Sequence, residues 1–301
     1  RILGLYRDFA VDDAAIPVVS GRKSESEKFP GALTSYSIEA MMGDKRALQA
    51  GTSHNLGQNF AKAFEVTFLD ENNETQYCWG TSWGVSTRMV GAIIMVHGDE
   101  QGLRMPPVLA PIQVVVVPIY RGEDEKSLVL ASAAKLTEEL KDAGVRVHLD
   151  QREEYTPGWK FNDWEMRGVP LRIEVGPREV SEGKLTCARR NAPRGKGKSS
   201  VLRSEVTKEV GRLLAEIQQS LYDQALAFRD SNVKEPRDYE ELKEIVQDGW
   251  AYTWWCGGAQ CEQKIQEETT ATSRCIPLEQ EEGDGPCIYC CLLYTSDAAD
   301  E

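Results

Sequence analysis

Gln49-Ala50-Gly51-Thr52-Ser53-His54-Asn55-Leu56-Gly57-Gln58-Asn59-Phe60 and, further on, Ser82-Trp83-Gly84-Val85-Ser86-Thr87-Arg88 are the most informative stretches of this chain. The first gathers small residues, amide and hydroxyl groups and one imidazole into what reads as a loop. Gly51 has no Cβ, which opens the backbone to close approach of a small ligand, while Thr52 and His54 supply directed polar contacts. The second is a Gly-x-x-x-Arg turn that enters an apolar run from Met89 to Val96. That run reads as a buried helix able to hold the Arg88 guanidinium rigidly, and a guanidinium fixed at a pocket edge suits a polyphosphate.

The rest of the chain narrows the class. Its 301 residues favour two or three domains and permit a large core. With 41% apolar and 28% charged residues the composition is that of an ordinary globular protein. No apolar run reaches the roughly 18 residues that span a bilayer, so no membrane partner is expected. The chain opens on Arg1 with no charged-then-apolar leader, and the expectation is a missing N-terminal part. Residues 291–301 follow no periodicity, read as a translated library adapter, and are set aside as a non-native tail. A net charge of −13 argues against nucleic-acid binding over the whole surface, though not against a local patch. Residues 186–203 hold Arg189, Arg190, Arg194, Lys196, Lys198 and Arg203 without an acid, which reads first as a solvated basic loop and second as a phosphate contact.

Residues 1–111 read as strands and turns around one helix. Residues 61–69 move toward strand character, and a polar turn at 70–74 leads into 75–79, as in a hairpin. Pro106, Pro107 and Pro111 mark a boundary. Beyond it the order is strand (113–119), helix (127–143, closed by Gly144), strand (145–150), short helix (161–167, closed by Gly168) and strand (170–175), which implies an α/β domain with parallel pairing. Val206, Val210, Leu213, Leu214, Ile217 and Leu221 give a helical core stripe within 205–229, and 236–250 suggests a further short helix. The expected division is 1–111, 112–190, 191–290 and the tail 291–301.

These segments, in this order, resemble prolyl-tRNA synthetase, a class II aminoacyl-tRNA synthetase family, in its archaeal/eukaryotic-like form that some bacteria carry. The likeness rests on the two opening stretches together with residues 95–103, Thr156-Pro157-Gly158-Trp159-Lys160-Phe161, and Gln266 to Thr272. It covers about residues 1–290. It implies an α/β and α+β multidomain chain: part of an antiparallel-sheet catalytic domain, an α/β anticodon-binding domain and a small α+β zinc domain. It also implies ATP-dependent activation of L-proline to prolyl-adenylate, with magnesium, and transfer to tRNA(Pro) by a homodimer in the cytoplasm, organellar residence staying open. Carried over residue by residue, Gln49, Thr52, His54, Ser86 and Arg88 fall at ATP- or proline-binding positions. Glu165 and Arg172, with Arg178 and Glu179 nearby, fall where the family reads the anticodon guanines, a surface ion pair being the competing reading; Arg178 and Glu179 stand where lysine and aspartate are expected. No residue is assigned a proton-transfer role. The family's first and second motifs would lie upstream of Arg1, so residues 1–301 alone are expected not to activate proline.

Eight cysteines in an enzyme-like chain suggest thiols or a metal, not a disulfide framework. Cys256-x4-Cys261 and Cys287-x2-Cys290 form two close pairs suited to a closed tetrahedral zinc site, and the resemblance implies the same ion. Cys275 is expected to face the core, and Cys78 and Cys187 to be buried and inert. Two other readings compete: a non-catalytic synthetase-like protein that binds tRNA or regulates, and a trans-editing hydrolase. Retention of all five pocket residues favours the enzyme over the first, and the lack of an inserted domain in 1–112 disfavours the second.

Overall fold

A computed structural model of the chain describes residues 1–193, 196–280 and 283–294; Arg194 of the basic run and residues 295–301 of the expected tail lie outside the described residues. The chain forms two compact units, one from 1–11, 16–95 and the stretch from 226 onward, the other from 12–15 and 96–225.

The first unit opens with helix α1 (Ile2–Asp8) and continues through strands β1 (Val18–Arg22), β2 (Thr34–Met41) and β3 (Ala47–Gly57). A short helix α2 (Asn59–Ala63), a small hairpin β4 (Thr67–Leu69)–β5 (Thr75–Tyr77), strand β6 (Gly80–Gly84) and helix α3 (Arg88–His97) follow. The expectation of a single helix here is corrected: Ile2–Asp8, a π-helical turn at Phe9–Asp13 and Asn59–Ala63 join Arg88–His97. The helical turn persists to Phe64, whose N–H reaches Phe60 O, and Glu65 in the left-handed region (φ 55°) ends it before the hairpin. Helix α3 is not buried all round. Met89, Ala92 and Ile93 are covered, whereas Val90, Ile94 and Met95 face out.

In the second unit, β7 (Val114–Pro118) is a fully buried valine run, as a strand covered on both faces should be. Helix α4 (Glu123–Asp142) starts with three acids in its first turn, which suits the positive end of the helix dipole, and ends at Gly144 with φ 80°. Strand β8 (Val147–Leu149), helix α5 (Pro157–Met166), strand β9 (Leu171–Val175), helix α6 (Pro177–Glu182), strands β10 (Lys184–Arg189) and β11 (Lys198–Leu202) and helix α7 (Val206–Asn232) complete the order. The sheet runs β11-β10-β9-β7-β8. Its β9-β7-β8 core is parallel, as expected, but β10 and β11 add an antiparallel hairpin. The ends of the basic 186–203 run are therefore strand, within β10 and β11: Cys187 and Val201 point into the core, and the basic residues occupy other positions. The α7 stripe packs on this sheet with all six expected residues buried.

The chain then returns to the first unit with β12 (Val233–Lys234), α8 (Tyr239–Ile245), β13 (Trp250–Ala251), α9 (Ala259–Thr269), β14 (Ile276–Pro277), β15 (Gly285–Pro286) and β16 (Leu293–Tyr294). Strand β14 pairs with β1 and so closes the five-stranded antiparallel sheet β14-β1-β2-β3-β6. Gly21 permits this: a Cβ there would meet Ile276 O at 2.5 Å and Cys275 Sγ at 2.6 Å. Charge reinforces the junction. Fully buried Glu39 accepts from Lys23 Nζ (2.9 Å) and Ser37 Oγ (2.7 Å) on one oxygen and from Arg274 Nη2 (2.8 Å) on the other. A buried carboxylate is tolerable only when paired in this way.

Candidate functional site

The stretch read as a loop at 49–60 is largely the central strand β3. A bulge between Ile38 and Glu39 leaves Ala50 without a partner, with Gly51 opposite Ile38 and Gln49 opposite Glu39. Gly51 does not open the backbone to a ligand. The space a Cβ would need is filled by Tyr6 Cδ2 at 3.2 Å and Val85 Cγ2 at 3.3 Å, so the glycine serves packing. Thr52 and His54, two apart on β3, share one face and lie opposite Gly84 and Ser82 of β6. From β6 the chain turns through Ser86, whose Oγ accepts the Arg88 N–H at 3.3 Å, into α3. Arg88, exposed at the start of that helix, donates from Nη1 to Gln49 O at 3.1 Å. Of the five expected residues, Gln49, Thr52 and His54 thus lie on β3, Ser86 in the turn after β6 and Arg88 at the start of α3.

Ser35 was missed by sequence reasoning, and it sets the state of His54. Its buried hydroxyl accepts the Phe29 N–H at 2.9 Å and lies 2.8 Å from His54 Nδ1. The hydroxyl hydrogen has no other acceptor among the described residues, so it belongs to Nδ1. That leaves the ring proton on Nε2. Burial lowers the His54 pKa, which keeps the ring neutral, and the Phe29 ring packs 4.9 Å away.

In the second unit the structure brings Glu165 and Arg172 together but does not leave them free. Arg172 Nη1 donates to Glu165 Oε1 at 2.7 Å, and Nε and Nη2 donate to Glu174 Oε1 at 3.2 and 3.1 Å. Its plane lies 4.0 Å over the Phe161 ring, and Lys198 closes the group by donating to Glu174 Oε2 at 2.8 Å. Two cations balance two carboxylates. Of the five guanidinium hydrogens three are used, leaving one on each Nη. Lys198 and Glu174 were not singled out from sequence; the only available hint was the basic run that holds Lys198. Arg178 and Glu179 lie elsewhere on α6: Arg178 pairs with Glu182 at 2.8 Å in the open, and Glu179 accepts from Thr186 Oγ1 at 3.2 Å.

The cysteine pairs converge. Cys256, Cys261, Cys287 and Cys290 place all four sulfurs within 4.8 Å of one another, with Cys256 3.6 Å from Cys261 and 3.7 Å from Cys290. Zinc–thiolate bonds of about 2.3 Å in a tetrahedron put sulfurs about 3.8 Å apart, so the set fits that ion. Burial raises the Cys256 and Cys261 thiols. At Cys287 burial pushes the same way, but the backbone amides of Cys290, Tyr289 and Cys256 prevail and bring it down to about 7. Cys275 packs against Gly21 and burial pushes its thiol up to about 11. Cys187 is buried as expected, whereas Cys78 is half-buried on the segment after β5.

Comparison with known proteins agrees with this arrangement. A family model described as an anticodon binding domain matches residues 113–213, and one described as the C-terminal domain of prolyl-tRNA synthetase matches 239–292. A proline--tRNA ligase from Roseiflexus castenholzii is 55% identical over 95% of this chain and 59% of its own length. One from Chloroflexus aurantiacus is 54% identical over 96% and 60%. A chloroplastic/mitochondrial proline--tRNA ligase of Arabidopsis thaliana is 51% identical over 100% and 55%. The chain spans about three fifths of the length of the curated relatives it matches. No helix among the described residues is long and apolar enough to cross a membrane. With both matched domains and these identities, the chain belongs to the prolyl-tRNA synthetase family.

Proposed function

We propose that the protein is a proline–tRNA ligase that activates L-proline with ATP and transfers it to the 3′ end of tRNA(Pro). The observation that carries this reading is the identity of more than half the residues, over 95% of this chain, to a relative named for that activity. The corner of β3, β6 and α3 supports it chemically. In the first step a proline carboxylate oxygen bonds to the α-phosphorus as the bond to the pyrophosphate oxygen breaks; in the second a ribose hydroxyl of the tRNA displaces AMP. Neither step needs a side chain as nucleophile, so positioning and charge neutralisation carry the chemistry.

The Arg88 guanidinium, held by the Gln49 carbonyl, offsets phosphate charge as pyrophosphate leaves. Gln49, Thr52 and Ser86 supply neutral hydrogen bonds to the adenylate. His54 presents Nε2–H as a fixed donor on the proline side. Magnesium bound to the incoming ATP would spread the phosphate charge that Arg88 also offsets. Cys256, Cys261, Cys287 and Cys290 would hold a zinc ion in a structural role, their four thiolates filling its coordination and supplying no chemistry to the substrate. Glu165 and Arg172 read guanine edges in the anticodon, with Arg178 and Glu179 on the flank. The proposal includes a cytoplasmic homodimer.

Amino-acid-dependent ATP–pyrophosphate exchange tests it, on protein of the relatives' full length, with proline compared against alanine and cysteine. Exchange specific to proline and lost by at least a hundredfold in Arg88→Ala is the expected result. A folded protein that binds tRNA but shows no exchange would establish the non-catalytic reading instead.

A further inference from the structure

Two aromatic rings at the start of α5 stand outside the hydrophobic core. Tyr155 and Trp159 stack with centroids 3.8 Å apart and planes 11° from parallel, yet remain 38% and 43% exposed. The neighbouring core of Val115, Val117, Trp164 and Val169 is completed by Ile112 and Phe161, not by this pair. The rings are nevertheless held in place. Trp159 N–H donates to the Thr156 cap at 3.4 Å, and Pro157 fixes the first helical residue.

A cation is fixed beside them. The Arg152 guanidinium lies 5.4 Å from the Tyr155 centroid and 5.2 Å from that of Trp159. It is bound through two nitrogens to fully buried Asp150 (2.9 and 2.8 Å) and once to Asp163 (3.0 Å). Asp150 is locked in turn by Trp164 Nε1 at 2.8 Å. Arg167 lies 5.0 Å over the Trp164 ring. Flat apolar faces next to immobile positive charge form a receptor for a flat ring attached to an anion.

We propose that Tyr155 and Trp159 form a stacking platform for one unpaired RNA base, with Arg152 and Arg167 facing its phosphates, distinct from the Glu165–Arg172 pair. The proposal rests on the tRNA-binding reading above. RNA is favoured over a proline-rich peptide because the platform lies inside the matched anticodon-type domain. Trp159 also lies on the same helix as Glu165, six residues earlier, or about 9 Å of rise. Neighbouring unstacked nucleotides bridge such a distance.

The test is binding of an anticodon-arm RNA hairpin of tRNA(Pro) to the full chain, with a series carrying one abasic loop position at a time. Trp159→Leu weakens binding about tenfold, as loss of one stacked base does, while Trp159→Phe stays within about twofold and loses part of the RNA-induced tryptophan quenching. For one abasic RNA, Trp159→Leu has no further effect, and that position is the stacked base. Tyr155→Leu repeats the result if Trp159→Leu fails to fold. Wild-type affinity in folded Trp159→Leu, with Glu165→Gln weakened, overturns the platform and leaves the tRNA reading intact. Absence of binding by the wild type overturns the tRNA reading itself, and capture of a proline-rich peptide instead of RNA overturns both.

Discussion

Ser35 Oγ lies 2.8 Å from His54 Nδ1 while accepting the Phe29 N–H, an arrangement by which a side chain one strand away assigns the ring proton to Nε2. The consequence is measurable. Nitrogen-15 NMR of the imidazole should show the Nε2–H tautomer in the wild type. Ser35→Ala should let Nδ1–H become populated, at a stability loss of about 1–2 kcal/mol for the orphaned Phe29 amide. In the exchange assay of the full-length protein its main effect should be on the KM for proline, since the fixed donor is lost and no proton transfer depends on it. An unchanged tautomer in Ser35→Ala would show that Ser35 does not set it.

His97 gives a pH dependence. The ring is buried, its Nε2–H donates to Ala14 O at 2.8 Å, and burial brings its pKa down to about 4, with nearby Arg104 opposing the charge further. A histidine depressed on folding takes up its proton more readily when unfolded, so stability is full above the unfolded value of about 6.5 and falls as pH drops toward 4. The window of about 2.5 units corresponds to a loss on the order of 3 kcal/mol. Urea unfolding of the second unit should show that slope, and His97→Gln, which keeps an N–H for Ala14, should flatten it. Parallel slopes in both proteins would assign the dependence elsewhere.

Arg172 is bound before any RNA arrives. Its removal leaves Glu174, which is buried, with only Lys198 for charge, and Glu165 with none. Breaking such a buried group by deleting one partner costs about 3–5 kcal/mol. Arg172→Met should therefore lower the stability of the second unit by about 3 kcal/mol, whereas Glu165→Gln, which keeps an acceptor, should cost less than about 1 kcal/mol. Denaturant unfolding of the two variants decides it. Equal small losses would mean that the network is looser than its distances indicate, and would make Arg172 itself usable as an RNA-binding probe.

How much of this was legible depends on whether the cause is local. The Val114–Val117 run and the α7 stripe were, because burial on two faces or one stripe writes its own periodicity. The two cysteine pairs were, because each pair is contiguous. Strand β3 was not: Gly51, Ser53 and Asn55 are poor strand residues, and only pairing with β2 and β6 overrides that preference. The Ile276–Pro277 pairing with β1, some 250 residues away, has no local trace, and neither does the Arg274–Glu39 contact. The start of α5 was legible in principle, since Thr156-Pro157 is a cap followed by a first-turn proline, but the expected helix began at Phe161. The burial of Arg172 with Glu174, and the closure of the group by Lys198, was invisible because α5, β9 and β11 each supply part of the network.

The metal site makes the last prediction, and it is a structural one. Cys256, Gly257 and Gly258 turn sharply, with Gly257 at φ 76°, to deliver Cys261 in the first turn of α9, while Cys287 to Cys290 turn tightly before β16. Neither segment has a sizeable apolar core; among the described residues of 254–262 and 285–293 the buried groups are Cys261, Glu262, Gly285 and Cys287. Beside the Ile288 N–H to Trp254 O bond at 3.0 Å and the packing of Trp254 on Gly285, a bound ion would tie the 256–261 and 287–290 turns through four bonds, as in small domains where metal binding supplies folding energy. Elemental analysis should find one zinc per chain. Cys287→Ser should lose it, and amide exchange should accelerate through 254–262 and 285–293 while β2–β3 stays protected by the Glu39–Lys23–Arg274 network. Retention of full protection after chelation would mean that the four sulfurs hold their positions without a metal, and the site would have to be reassigned.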